Sequence, residues 1–179
     1  MSKVSNLLAS YQEFIALPWA TDISPDQRVI FGIYDPSDEL RLRAMIDNFE
    51  IATKGTNHDW MAIDIEKDFS EWLSSLRYKE GYYQRPELIS SSLDLFEEFL
   101  IQKIENKSRE YLENDNAVVA IYGVGAIFGL LKVRHLMDML APSFYGRLLV
   151  FFPGSYENDN YRLLNGYDGW NYRAIVLNK

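Results

Sequence analysis

Cysteine is absent from all 179 residues, which removes disulfides, thiolate metal ligands and cysteine nucleophiles together. A cysteine-free chain fits a reducing compartment, and the opening MSKVSNLLASYQEF has no secretory character, so a cytoplasmic location is expected. Histidine is nearly as scarce. His58 and His135 share no HxxxH or HExxH spacing and belong to no recognisable triad, so no transition-metal site is expected. Excess positive charge is missing too: 18 Lys+Arg face 26 Asp+Glu, a net charge of −8. Such a balance opposes a protein that coats nucleic acid and places direct DNA binding last. The longest uncharged apolar run, Ala117–Leu131, spans 15 residues with three glycines, whereas a membrane helix needs roughly 20 apolar residues.

What is present is a globular composition, 47% hydrophobic and 15% aromatic, at a length suited to one domain. Val4, Leu7, Leu8, Tyr11, Phe14 and Ile15 repeat at helical spacing until Pro18. This 1–18 helix either packs on the domain or extends from it towards a partner. Apolar runs at Arg28–Tyr34, Trp60–Ile65, Ala117–Tyr122, Arg147–Phe152 and Tyr172–Leu177 read as strands. Helical spacing fills Leu42–Phe49, with Arg41, Arg43, Asp47 and Glu50 on its outer side, and a short helix over Phe69–Leu76. Glu87–Leu112 reads as one long crossover helix, and a further helix follows the glycines after Tyr122. Arg77–Arg85 and Tyr156–Asn171 read as loops, the latter with Asn-Gly at 165–166 and Asp-Gly at 168–169. The alternation predicts a single α/β domain over residues 1–179, with a mainly parallel sheet of about five strands flanked by helices.

Gly123, Gly125 and Gly129 form GxGxxxG after a strand, a setting that suits an anion. The spacing fits neither the dinucleotide fingerprint nor a Walker A loop, and no Lys-Ser or Lys-Thr follows. Helix–sheet packing explains these glycines more simply. Ser155 directly follows Gly154, so the G-x-S order of a nucleophile elbow is missing. Asp35, Asp64, Glu66 and Asp68 fall at or beyond predicted strand ends, where carboxylates suit Mg²⁺. Capping and helix-dipole placement account for them more economically. Lys132, Arg134 and His135 read as a solvated helix face or, less economically, an anion contact. Tyr145, Tyr156, Tyr161, Tyr167, Trp170 and Tyr172 interleave with Arg147, Arg162 and Arg173. They suit either interface hot spots or a rim packed over the sheet end.

The wording GVGAIFGLLKVRHLMDML, then RLLVFFPGSYENDNYRLLNGYDGWNYRAI, with IFGIYDPSDELRLR upstream, resembles the BrxB family of BREX bacteriophage-defence systems. The resemblance runs in segments from about Arg28 to the C-terminus, with Lys67–Asn114 matched only in length and helical character. Glycine stands at 129 and lysine at 132 where family members often carry proline and arginine. The resemblance implies a P-loop-NTPase-like or Rossmann-like sheet without a Walker A motif, and no established catalytic motif. It further implies a place beside an ATPase, a methyltransferase and a PglZ-type phosphatase-like protein, the last as direct partner. The expectation is a non-enzymatic adaptor without cofactor or metal. Its candidate contact residues are Asp35, Gly123, Gly125, Arg134, Gly154, Tyr156, Arg162 and Trp170. The alternative is a degenerate nucleotide-binding module, or weak nucleotide-dependent enzyme, using the Gly123–Gly129 turn with Asp35.

Overall fold

The computed structural model describes residues 3–170 and 173–177, with Trp170 described by its backbone alone. Among these residues seven strands make one sheet: β1 (Val29–Tyr34), β2 (Asp59–Asp64), β3 (Ala117–Tyr122), β4 (Arg147–Glu157), β5 (Asn160–Leu163), β6 (Gly166–Trp170) and β7 (Ile175–Leu177). Five run parallel in the order β2-β3-β4-β1-β7. The far half of β4 turns back through β5 and β6 as an antiparallel ribbon.

The strands follow from their sequences. VIFGIY is buried at every position and AVVAIY at all but the last, as parallel strands covered on both faces must be. Consecutive residues alternate between two cores. Ile30 and Phe151 face the layer of α1 (Lys3–Ile15) and α2 (Glu39–Gly55), with Leu7, Tyr11, Leu42 and Phe49. Phe31 and Phe152 face the layer of α3 (Asp68–Ser75), α5 (Leu93–Lys107) and α6 (Val133–Leu140), with Trp72, Phe96 and Leu136. The short helix α4 (Lys79–Gln84) bridges α3 and the turn before α5. No helix among the described residues is long and apolar enough to cross a membrane.

Several expectations are corrected. The long crossover helix is three pieces: a 3-10 turn at Pro86–Ser92, α5, and a second 3-10 turn at Arg109–Tyr111. The hydroxyls of Ser90 and Ser91 donate back to the carbonyls of Glu87 and Leu88 at 2.8 Å each, a local competition that holds the chain off the α pattern. Arg77–Arg85 holds α4 rather than only loop. The stretch 156–171 is largely the β5–β6 ribbon, because Tyr161 and Leu163 alternate inward onto the core. Its first turn is Asn158-Asp159, with φ of 50° and 62°, the paired left-handed residues that close a two-residue hairpin. The Asp-Gly at 168–169 lies inside β6, not at a turn. The predicted last strand is shorter, runs parallel to β1, and its first residue, Tyr172, lies outside the described residues.

The helix expected over 1–18 is α1, Lys3–Ile15, and it belongs to the core. Val4, Leu7 and Tyr11 are wholly buried, and the Tyr11 hydroxyl shares a 2.6 Å hydrogen bond with Thr53 Oγ1 on α2. Leu7→Ala is therefore expected to lower stability by about 2–5 kcal/mol, read as a shifted urea midpoint in one cooperative transition. A change below about 1 kcal/mol, within the range of ordinary surface substitutions, would mean that α1 is not part of the folding unit.

Candidate functional site at the C-terminal edge of the sheet

Because the five parallel strands run one way, their C-terminal ends share an edge, the customary ligand edge of open α/β sheets. The segments after β1, β2 and β3, with Pro153 of β4, enclose a crevice of about 260 Å³ there. Arg43 is its hub. The guanidinium meets Glu39 Oε1 at 2.8 Å, Asp64 Oδ2 at 2.7 Å and Glu66 Oε2 at 3.3 Å, and lies 5.2 Å from the Tyr122 ring centroid. Helical spacing assigns Arg43 to the outer side of α2. Leu42, Ile46 and Phe49 do face the sheet, but Arg43 stands one step round, near enough to lean over the sheet end. Hydrogen bonding to Asp64 pushes its pKa further up. Burial, and then the hydrogen bond its hydroxyl donates to Glu39, push the Tyr34 pKa up as well.

Gly123 is shaped to admit this cluster. Its φ is +79°, and a Cβ there would fall 2.5 Å from Asp64 Oδ1 and 2.9 Å from the Glu66 amide nitrogen. That amide already donates to Asp64 Oδ1 at 3.0 Å. The space before the glycine turn thus holds carboxylate. No helix N-terminus stands behind the turn either, for Val124–Ile127 is a 3-10 turn and α6 begins only at Val133. Gly125 lies within that 3-10 turn, where a Cβ would touch Pro153 at 3.6 Å. Asp35 closes a turn with Ser37, accepting from its amide at 3.0 Å and hydroxyl at 2.7 Å, and pairs with Lys3 at 3.1 Å. These partners, the Ser37 hydroxyl first, hold its carboxyl at about 2. Asp64 and Glu66 do not cap a helix but pair with Arg43, and Asp68 meets Lys103 at 2.6 Å. Among the described residues no group of three or more His, Asp or Glu side chains is placed to hold a metal ion.

The ribbon forms the neighbouring wall. Asp168 is buried and accepts hydrogen bonds from the amides of Val133 at 2.8 Å and Arg134 at 2.9 Å, capping α6 from another element. A Cβ on Gly169 would fall 2.5 Å from Arg134 Cδ, and one on Gly166 2.7 Å from Phe128 Cε2. Two bare glycines let the ribbon lie flat on α6 and on the segment before it. Gly154 is equally constrained, since a Cβ would overlap the Arg162 carbonyl across the β4–β5 pair. The Lys132 ammonium donates to the Tyr167 carbonyl and lies 5.7 Å from that ring's centroid. Phe128 and Tyr167 remain 43% and 54% exposed beside a cavity of about 380 Å³ that Leu131, Lys132 and Leu163 also line.

The candidate residues therefore fall into two adjoining groups. Gly123 and Gly125 line the crevice, while Asp35 and Gly154 stand next in sequence to its wall residues Pro36 and Pro153. Tyr156, Arg162 and Trp170 lie on the ribbon, with Arg134 beneath Gly169. Tyr156 packs on Tyr161 with ring centroids 4.7 Å apart, and its hydroxyl donates to Asp159 at 2.7 Å. Arg162 is exposed, and Trp170 pairs with Asn160 along the backbone. The aromatic–arginine set is split by the fold, because Tyr145, Arg147 and Arg173 sit at the opposite, N-terminal edge. The residues that organise this edge, Arg43 and Asp168, are ones that sequence reasoning placed outside or at a turn.

Gly123→Ala is expected to destabilise by more than the roughly 1–2 kcal/mol of a left-handed non-glycine residue, because Asp64 must also move. Asp168→Ala should cost about 1–2 kcal/mol through the lost cap. Burial raises the Asp168 carboxyl above its ordinary 3.8 despite the two amides. The folded chain then keeps this proton where the unfolded chain has lost it. This group's contribution to stability accordingly declines as pH rises from 3.8 through the raised value. Asp168→Asn should flatten that part of the stability profile, measured as urea midpoints across the acid range.

No curated protein and no solved structure gives a significant match to the chain. The sequence profile of the family described as BREX protein BrxB matches residues 60–177, more than half of the chain. The resemblance carried by the GVG and PGSY segments and this match agree, and the chain belongs to the BrxB family of BREX phage-defence components.

Proposed function

We propose that the chain is a non-enzymatic assembly component of a BREX complex, and that the β5–β6 ribbon with residues 124–132 is its partner-facing surface. The observation carrying this reading is the exposed pair Phe128 and Tyr167, which borders the 380 Å³ cavity and has Lys132 held against it. Exposed aromatic side chains are typical interface anchors. The crevice, by contrast, has its carboxylates bound to Arg43, which leaves no free acid–base pair for chemistry. The sheet reads as a nucleotide-binding type of α/β architecture that lacks a phosphate loop. A PglZ-type phosphatase-like protein is the partner that the family resemblance implies.

Co-expressed with its BREX neighbours, the tagged chain should retain the PglZ-type protein through purification. Phe128→Ala and Tyr167→Ala should each weaken that complex by about 2 kcal/mol or more while leaving thermal stability close to wild type. Recovery of the chain alone at low salt, with its partners soluble and expressed, argues against assembly. Full affinity in both variants moves the contact elsewhere.

The nucleotide-binding alternative rests on the crevice at the strand ends. Asp64 and Glu66 beside Gly123 oppose it, since a phosphate there meets two carboxylates for one guanidinium. A thermal shift with millimolar ATP and Mg²⁺ that Gly123→Ala abolishes would favour it over the assembly role.

A further inference from the structure

At the N-terminal edge of the sheet a guanidinium is buried with no ion-paired acid among the described residues. Arg147, the first residue of β4, is only 5% exposed. Its Nη2 donates to the Ala20 carbonyl at 2.8 Å and its Nη1 reaches the Gly146 carbonyl at 3.4 Å. Its guanidinium carbon lies 4.7 Å from the Trp19 ring centroid, and its Nε has no hydrogen-bond partner. The Trp19 indole nitrogen is likewise buried and unpartnered. Among the described residues no carboxylate lies within ion-pairing distance of Arg147, and the charge that acts on it is a second cation, Arg28. Burial and then Arg28 push its pKa down, so the folded chain holds this positive charge at a cost.

A buried charge is tolerated when it is paired, and two carbonyl contacts use only part of a donor set of five. Arg147 lines two cavities. One, of about 310 Å³, lies behind α1; its described lining holds Arg147 and Arg173 and no carboxylate, between walls that include Phe14, Leu17, Trp19 and Ile23. The other, of about 220 Å³, is lined by Arg28, Tyr145 and Asp115 as well as Arg147. Two guanidiniums in the larger cavity, backed by a third, match a doubly charged oxyanion, and the walls match an apolar substituent on it.

We propose that Arg147 and Arg173 form a binding site for a phosphate monoester carried on a small aromatic or aliphatic body. The ester group replaces the missing counter-charge and accepts from the free edge of the Arg147 fork. The apolar body lies against the α1 side of the cavity. This site stands at the far edge of the sheet from the partner-facing ribbon and does not depend on it.

Thermal unfolding of the full chain tests the proposal, with phenyl phosphate as probe, inorganic phosphate as the free-anion arm, and sodium chloride at matched ionic strength as control. Phenyl phosphate is expected to raise the melting temperature saturably, at lower concentrations than inorganic phosphate. Arg147→Met should abolish both shifts. Arg173→Gln, at an exposed position that leaves the core intact, should raise the midpoint concentration at least tenfold. A shift no larger than that of chloride overturns the site, as does one undiminished in Arg173→Gln. Inorganic phosphate acting at the same concentration as phenyl phosphate overturns the apolar subsite. Should Arg147→Met fail to fold, the Arg173→Gln comparison decides alone.

Discussion

Strand β4 is shared between two sheets' worth of hydrogen bonds, and the rest of the molecule is arranged around that sharing. Its first half pairs with β3 on one side and β1 on the other, so it must be apolar on both faces. Its second half leaves that environment and pairs with β5 alone. The handover falls at Pro153, which has no amide to donate and whose carbonyl instead accepts from the Leu164 amide at 2.7 Å. Gly154 follows because the returning strand passes too close for any side chain. The PGSY wording is thus a description of a strand changing partners.

From that handover both features of the C-terminal edge follow. The ribbon is carried over α6, where Asp168 caps the helix and the two glycines of β6 set the distance. The crevice is left between the ribbon root and the ends of β1 to β3, and Arg43 spans it by gathering Glu39, Asp64 and Glu66. One cation among three carboxylates leaves the crevice negative, in keeping with a chain of net charge −8. At the other edge the described lining of the two cavities holds Arg28, Arg147 and Arg173 with one acid, Asp115.

Much of the frame is legible in the sequence because burial on both faces leaves a run of apolar residues that little else requires. VIFGIY and AVVAIY announce themselves, and their strand bounds are read to within a residue. The ribbon was hidden by its own compromises. Asp-Gly at 168–169 has the composition of a turn, yet Asp168 is there to cap α6 and Gly169 to clear Arg134. Asn158-Asp159, the actual turn, lacks glycine and pays in left-handed strain instead. Arg43 was illegible for a different reason. Helical periodicity ranks residues as inward or outward, and a residue at the boundary of the two is decided by what stands beyond the sheet end. Arg147 reads in the sequence as a strand's first residue and as one of the arginines among the interface-or-rim aromatics, whereas it is among the most buried charges described.

The order of the strands also governs how the chain must be made. β1 is bonded only to β4 and β7, with Val29 against Leu148 and Ile30 against Ile175. A ribosome delivers β1 to β3 and α2 to α6 before either neighbour of β1 exists. Both edges of β1 are left without their strand partners through most of synthesis, and pairings so remote in sequence form slowly. The strand that stands second from one edge of the parallel order is the one that waits longest for its partners.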